Sequence, residues 1–246
     1  PMMVTHAPAG TQTGAQPPAE KVVASGGPER VKLAISGHVN RMVNIVDDGG
    51  GTETYFVDND NSESQVRFVA TARPNEDLTL GGAIELSIAP NKSGNVDQLN
   101  QETNNIFDQR KAEITLASER YGKLWFGKGD TGSYTAGARD LSGTAVITYS
   151  TIVDTAGGLF FREKDTGELT DVRIGNAFSA FDGLNRRNRI RYDSPTFAGA
   201  QLRATAASDQ RYDGSLWWAG QGYGFKAAAA GAVADPNEED ARLQYN

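Results

Sequence analysis

Residues 65–88 read QVRFVATARPNEDLTLGGAIELSI. Val66, Phe68, Ala70 and Ala72 alternate with Gln65, Arg67 and Thr71. After Arg73-Pro74-Asn75-Glu76-Asp77, the residues Leu78, Leu80, Gly82, Ile84, Leu86 and Ile88 alternate with Thr79, Glu85 and Ser87. A period of two puts successive side chains on opposite faces of an extended chain, and a Pro/Asn/Asp cluster is the chemistry of a tight reversal. The stretch predicts an antiparallel hairpin with one apolar and one charged face.

The same pattern extends in both directions. Upstream, Val31, Leu33, Ile35, Gly37, Val39, Val43 and Ile45 share one parity, which predicts a single long strand over 31–45, with Arg41 on its apolar side. That length suits a tilted membrane-spanning strand better than a globular one. Downstream, Ala112, Ile114 and Leu116 alternate with Lys111, Glu113 and Thr115, and a shorter strand follows at 124–128. Asn188, Ile190 and Tyr192 alternate with Arg187, Arg189 and Arg191; further strands fit 200–207, 215–220, 225–233 and 241–246. The count is about ten strands and no helix. Residues 1–29, rich in Pro, Ala, Gly, Thr and Gln, read as a flexible tail without a core.

Short turns at 73–77, 118–122, 194–199 and 221–224 alternate with longer polar connections at 46–61, 90–108 and 130–186, and with shorter ones near 208–214 and 234–240. Short turns on one edge and long loops on the other are the layout of an outer-membrane barrel. Lipid offers no hydrogen bonds to backbone, so only a closed sheet satisfies every strand there. Parity alone does not say which face is inside. Aromatics gather at the short turns: Tyr121, Trp125 and Phe126 at one, Phe197 at another, Tyr223 and Phe225 at a third, with Trp217 and Trp218 just before it. They predict an interfacial girdle.

Composition narrows the class. The net charge is −7 without a block of one sign, which argues against nucleic acid as a partner. There is no cysteine, so neither a disulfide framework nor a thiolate metal site is open to the chain. No apolar run is long enough for a transmembrane helix, and no signal peptide is visible, so the sequence reads as a processed or truncated piece. Gly127-Lys128-Gly129-Asp130-Thr131-Gly132 fits a G-x-G-x-x-G pattern, but no helical period follows, so the glycines are expected to release the chain from a strand into a loop. Residues 57–63 have the oxygen density of a calcium loop without its glycine and distal glutamate. His6 and His38 are the only histidines, and no nucleophile elbow accompanies them. No catalytic residue, metal ligand or cofactor is assigned. The 130–186 connection holds apolar runs at Leu141–Tyr149 and Gly157–Phe161 that need burial. Folding inward against the wall, narrowing a pore, or forming a small external subdomain would each supply it.

Residues 188–199, NRIRYDSPTFAG, resemble the N-x-[IV]-R-Y-x-S-P-x-F-x-G segment of Gram-negative general porins; 33–41 resembles their first strand, and 121–130 their fifth strand running into the constriction loop. The overall style is closest to the alphaproteobacterial type of this outer-membrane porin family. The resemblance covers 31–246 and implies an antiparallel transmembrane β-barrel of about 16 strands, usually a homotrimer, in contact with outer-membrane lipid and lipopolysaccharide. It also implies a water-filled channel for passive diffusion of ions and small hydrophilic solutes, located in the bacterial outer membrane. About ten strands then make residues 30–246 an incomplete barrel, with about six strands missing on the C-terminal side. Loop 3, at about 130–186, is expected to fold inward as an eyelet. By parity, Arg67, Lys111, Arg189 and Arg191 supply the basic pore lining that the resemblance implies, and Asp140, Asp154, Glu163 and Asp165 supply the acidic constriction loop. The alternative is a soluble all-β carbohydrate-binding module with Trp217 and Trp218 as a stacking platform. An outer-membrane barrel enzyme is disfavoured by the scarcity of histidine.

Overall fold

Period-two alternation becomes a continuous antiparallel meander in the computed structural model, which describes residues 21–23, 31–104, 106–147, 151–237 and 244–245. The strands are β1 (Lys21–Val23), β2 (Val31–His38), β3 (Arg41–Asp47), β4 (Thr52–Asp58), β5 (Gln65–Ala72), β6 (Leu78–Ala89), β7 (Ile106–Ser118) and β8 (Gly122–Asp130). They continue with β9 (Phe160–Arg162), β10 (Leu169–Arg173), β11 (Arg186–Asp193), β12 (Ala200–Ala207), β13 (Arg211–Gly222), β14 (Phe225–Asp235) and β15 (Gln244–Tyr245). Two single-turn helices, α1 (Val153–Ala156) and α2 (Ile174–Ala177), lie in the long connection. Eleven strands form one sheet in the order β1-β2-β5-β6-β7-β8-β11-β12-β13-β14-β15. Among the described residues the sheet is open, with β1 and β15 at its two edges.

Three expectations change. Residues 21–23, assigned by composition to a flexible tail, pair with β2; the rest of that tail, including His6, lies outside the described residues. The single strand expected over 31–45 is two. The ladder with β5 ends at His38, and the chain continues as β3, which pairs with β4 in a separate hairpin. Asn40 makes the break: its amide N–H donates to Ser64 Oγ and its carbonyl accepts from Asn59 N–H. Because β3 keeps the phase of β2, the alternation shows no interruption there. The connection expected at 208–214 shrinks to a tight turn, with Asp209 and Gln210 both at positive φ. At the opposite end Tyr223 and Gly224 close β13 to β14 with φ 52° and 82°, a mirror-image turn that suits the right-handed twist of the strands.

The two faces are inverted relative to a water-soluble protein. Ile84, Ile114, Phe126, Ile190, Leu202 and Leu216 are 48–61% exposed, whereas Glu85, Lys111, Glu113, Arg189, Arg191 and Asp193 are at most 8% exposed. The apolar side therefore faces outward and the charged side lines the concave interior. Trp125 and Trp217 point to that interior and leave the expected girdle; Tyr121, Phe126, Phe197, Trp218, Tyr223 and Phe225 remain exposed on the outer side or at the turns. A small apolar core lies elsewhere. Tyr55, Val57, Val96, Ala156 and Leu159 pack with Met42, Val46 and Ile174, joining the β3–β4 hairpin, the β6–β7 connection and the long loop.

Candidate functional site

The concave wall is a ladder of opposite charges, and strand register sets its spacing. Arg67 on β5 lies opposite Glu85 on β6, which lies opposite Lys111 on β7. Arg67 pairs with Glu85 at 2.5 Å and Lys111 with Asp130 at 2.6 Å. The β6–β7 register slips between Glu85 and Leu86, leaving Arg110 as an extra residue. This bulge turns two consecutive basic side chains inward, and Arg110 reaches Glu85 at 2.9 Å and Glu63 at 3.0 Å.

Glu113 on β7 and Arg189 on β11 are both paired with Gly127 on β8, the strand between them. Their ion pair, at 2.5 Å, crosses β8 because glycines clear its inner face. A Cβ at Gly129 would collide with Glu113 Oε2 and lie 2.7 Å from Arg189 Nη2. Gly129 is thus the floor under a buried ion pair, while Gly127, at φ 114°, lies against the β7 backbone at Ala112; neither is the release into a loop that the sequence suggests. Next to it, Arg191 forks onto Asp193 at 2.7 and 2.8 Å, and Trp125 Nε1 donates to Asp193 Oδ2 at 2.9 Å. Lys123 lies 3.6 Å from the Trp125 ring centre. Charges packed this closely are tolerable because each of these carboxylates is paired and hydrogen-bonded.

The connection at 131–185 begins against this wall. Gly132 N donates to Thr205 Oγ1 at 2.8 Å and Ser133 N to Asp213 Oδ2 at 3.0 Å. Ser133 Oγ donates to the same carboxylate, and Ser215 Oγ donates to Gly132 O at 2.6 Å. The chain then reaches the connection between β2 and β5, where Asn61, Asn40 and Asn59 donate side-chain amides to the carbonyls of Ala145, Val146 and Ile147. Backbone carbonyls make this docking; Leu141 and Ile147 stay exposed, contrary to the expectation that their run is buried. Thr148 and Tyr149 lie outside the described residues. The second apolar run does bury Leu159, in the small core shared with the β3–β4 hairpin.

All four basic candidates, Arg67, Lys111, Arg189 and Arg191, are on the concave wall, each beside a carboxylate of the wall itself. The four acidic candidates are dispersed. Asp140 accepts from Ser142 N in its own exposed turn. Glu163 and Asp165 lie on the exposed turn between β9 and β10, where Glu163 accepts from Thr166 Oγ1. Only Asp154, on α1, joins a charged group, with Asp60, Glu63 and Lys92; burial, Asp60 and Asp182 push its carboxyl up to about 7. Glu63 goes the other way: burial would raise it, but Arg110, Lys92 and Ser87 hold it at about 2. Asp182, absent from the candidates, is raised to about 6 by burial, against the pull of Arg186. Arg110, Lys92, Arg186, Arg203, Arg139, Asp193 and Asp213 are also wall or loop groups that parity did not single out.

Trp217 and Trp218 fall on opposite faces of β13. Trp217 is buried inside and donates to Ser215 Oγ; Trp218 is outside and donates to Ala198 O. They form no common stacking platform. His38 is spent on Ser62 O. A cavity of about 250 Å³ opens on the charged wall beside Arg67, Lys111, Trp125 and Arg189. A larger concavity, about 860 Å³, lies beside Tyr192, Leu202, Leu216 and Val233, whose side chains belong to the outer apolar face. No helix of the described residues is long and apolar enough to cross a membrane.

A family profile described as Gram-negative porin matches residues 7–246. The chain belongs to the Gram-negative porin family. No curated protein matches it. Members of this family are channels and not enzymes, and the family fold is a β-barrel, of which the described sheet is an open part.

Proposed function

We propose that this porin forms a water-filled channel in the outer membrane through which ions and small hydrophilic solutes diffuse passively. The observation that carries the proposal is the inversion of the faces. Exposed Ile, Leu, Phe and Val side chains suit acyl chains, while the buried ladder of Arg, Lys, Asp and Glu suits a hydrated lumen. The 131–185 loop, docked through Ser133 on Asp213 and through residues 145–147 on Asn40, Asn59 and Asn61, narrows that lumen. Contact with lipid and lipopolysaccharide and assembly as a homotrimer complete the proposal.

Planar-bilayer recording of the full-length protein tests it. Stepwise conductance is expected, and Arg189→Ala is expected to shift the reversal potential toward cation selectivity. A preparation that is soluble and monomeric without detergent, and that gives no conductance steps, would falsify the channel.

A further inference from the structure

One stretch of the inner wall lacks the charge balance of the rest. Arg203 on β12 is 7% exposed, and among the described residues its one hydrogen bond runs from Nε to Gln201 Oε1 at 3.0 Å. Arg139, in the loop facing this wall, has a buried Nε without a partner. Among the described residues neither guanidinium lies in an ion pair. Both lie over the same ring, Arg203 at 4.0 Å and Arg139 at 4.8 Å from the centre of Trp217.

The nearby carboxylates Asp213 and Asp193 form no ion pair with either guanidinium; Asp193 and Asp130 act on Arg203 only from a distance. Asp213 is committed to Gly132 N, Ser133 N and Ser133 Oγ. Asp193 is committed to Arg191 and Trp125. Burial alone holds the Arg139 guanidinium below its ordinary range, as fits a cation with no partner. Two like charges at one aromatic ring repel each other unless something anionic sits between them or beside them. A guanidinium presents a planar fork that matches an oxyanion edge, so two unspent forks specify an acceptor with several oxygens better than a halide.

We propose that Arg139, Arg203 and Trp217 form a transit site for small oxyanions, of the phosphate or carboxylate class, inside the lumen. The site rests on the channel function proposed above. It makes the loop a contributor of positive charge at this point, where the resemblance implies an acidic loop facing a basic wall.

The probe is inorganic phosphate, used in two arms with the full-length protein. In planar bilayers in KCl, phosphate is expected to reduce the chloride current in a concentration-dependent manner. In detergent at constant ionic strength, phosphate is expected to change the tryptophan fluorescence. Arg203→Gln and Arg139→Gln should each raise the half-effect concentration roughly tenfold in both arms, the loss of one charge-assisted contact. Lys164→Gln, on the exposed β9–β10 turn, should leave it unchanged. Arg203→Lys keeps the charge and loses the fork; a severalfold weakening is expected from a variant that folds as the parent does. Equal half-effect concentrations in the parent and in all three arginine variants, or no phosphate effect in either arm, overturn the site. Absence of any conductance step overturns the channel instead, and the fluorescence arm still decides the site.

Discussion

On β5 to β8 and β11 the basic residues of the wall meet carboxylates of the same wall: Arg67 with Glu85, Lys111 with Asp130, Arg189 with Glu113, Arg191 with Asp193. On β12 and β13 the corresponding carboxylate, Asp213, is taken by the N–H groups and hydroxyl of the loop, and Arg203 is left with an amide oxygen and a tryptophan ring. One half of the wall pairs these four cations within itself; on the other half the carboxylate is spent on holding the loop. The position of a carboxylate's partners, not the count of charges, therefore decides where the wall presents an uncompensated charge.

Breaking a pair on the paired half should have the largest effect. Glu113→Gln leaves Arg189 buried without its counter-charge and is expected to cost about 3 kcal/mol in thermal or denaturant unfolding. A loss below about 1 kcal/mol would class the pair with solvated surface bridges and erase the contrast between the halves. On the other half, Asp213→Asn removes the charge that holds Gly132 and Ser133 and is expected to cost about 1–2 kcal/mol. The same change should free the loop stem, raising single-channel conductance and protease cleavage within 131–185; unchanged cleavage would mean that Thr205 and Ser215 hold the stem without Asp213.

The smallest effect is on pH. Asp154 is raised to about 7 and Asp182 to about 6, mainly by burial. The folded loop binds these protons more tightly than the unfolded chain does, so their contribution to its stability is greatest below about pH 4 and is lost as pH rises toward 7. Asp60, Glu63, Lys92 and Asp182 are the charges acting on Asp154, and Arg186 and Asp130 those acting on Asp182. Amide protection across 151–159, corrected for intrinsic exchange, should fall severalfold between pH 4.5 and pH 8. A rise over that interval would reverse the assignment.

How far the wall can be read before any coordinates depends on the kind of contact. Arg67, Lys111, Arg189 and Arg191 are legible because parity within a strand is local information, and their side of the sheet follows from Phe68, Ile114 and Ile190 on the other. Arg110 is not legible by that rule, since the bulge that turns it inward appears only when β6 and β7 are paired. The β3–β4 hairpin hides because it continues the phase of β2 without a break. Asp213, Arg203 and Arg139 depend on the start of the long loop, where Ser133 lies 80 positions before Asp213, and no spacing encodes that meeting. One signal was available and misread. Gly129 stands on the inner side of β8 under Glu113 and Arg189, and a glycine inside a strand marks a place where another group must approach closely.

The backbone of Thr131 donates to the carbonyl of Asn185, and Asp130 lies opposite Arg186 in the β8–β11 ladder. The long excursion thus departs and returns at neighbouring points, and the ladder, not the excursion, bears the entropy of joining its ends. Such an insert can be lengthened, shortened or exchanged between relatives without moving any strand by a single residue. The sheet and the excursion are in that sense separable, and natural variation is expected to concentrate between Thr131 and Asn185.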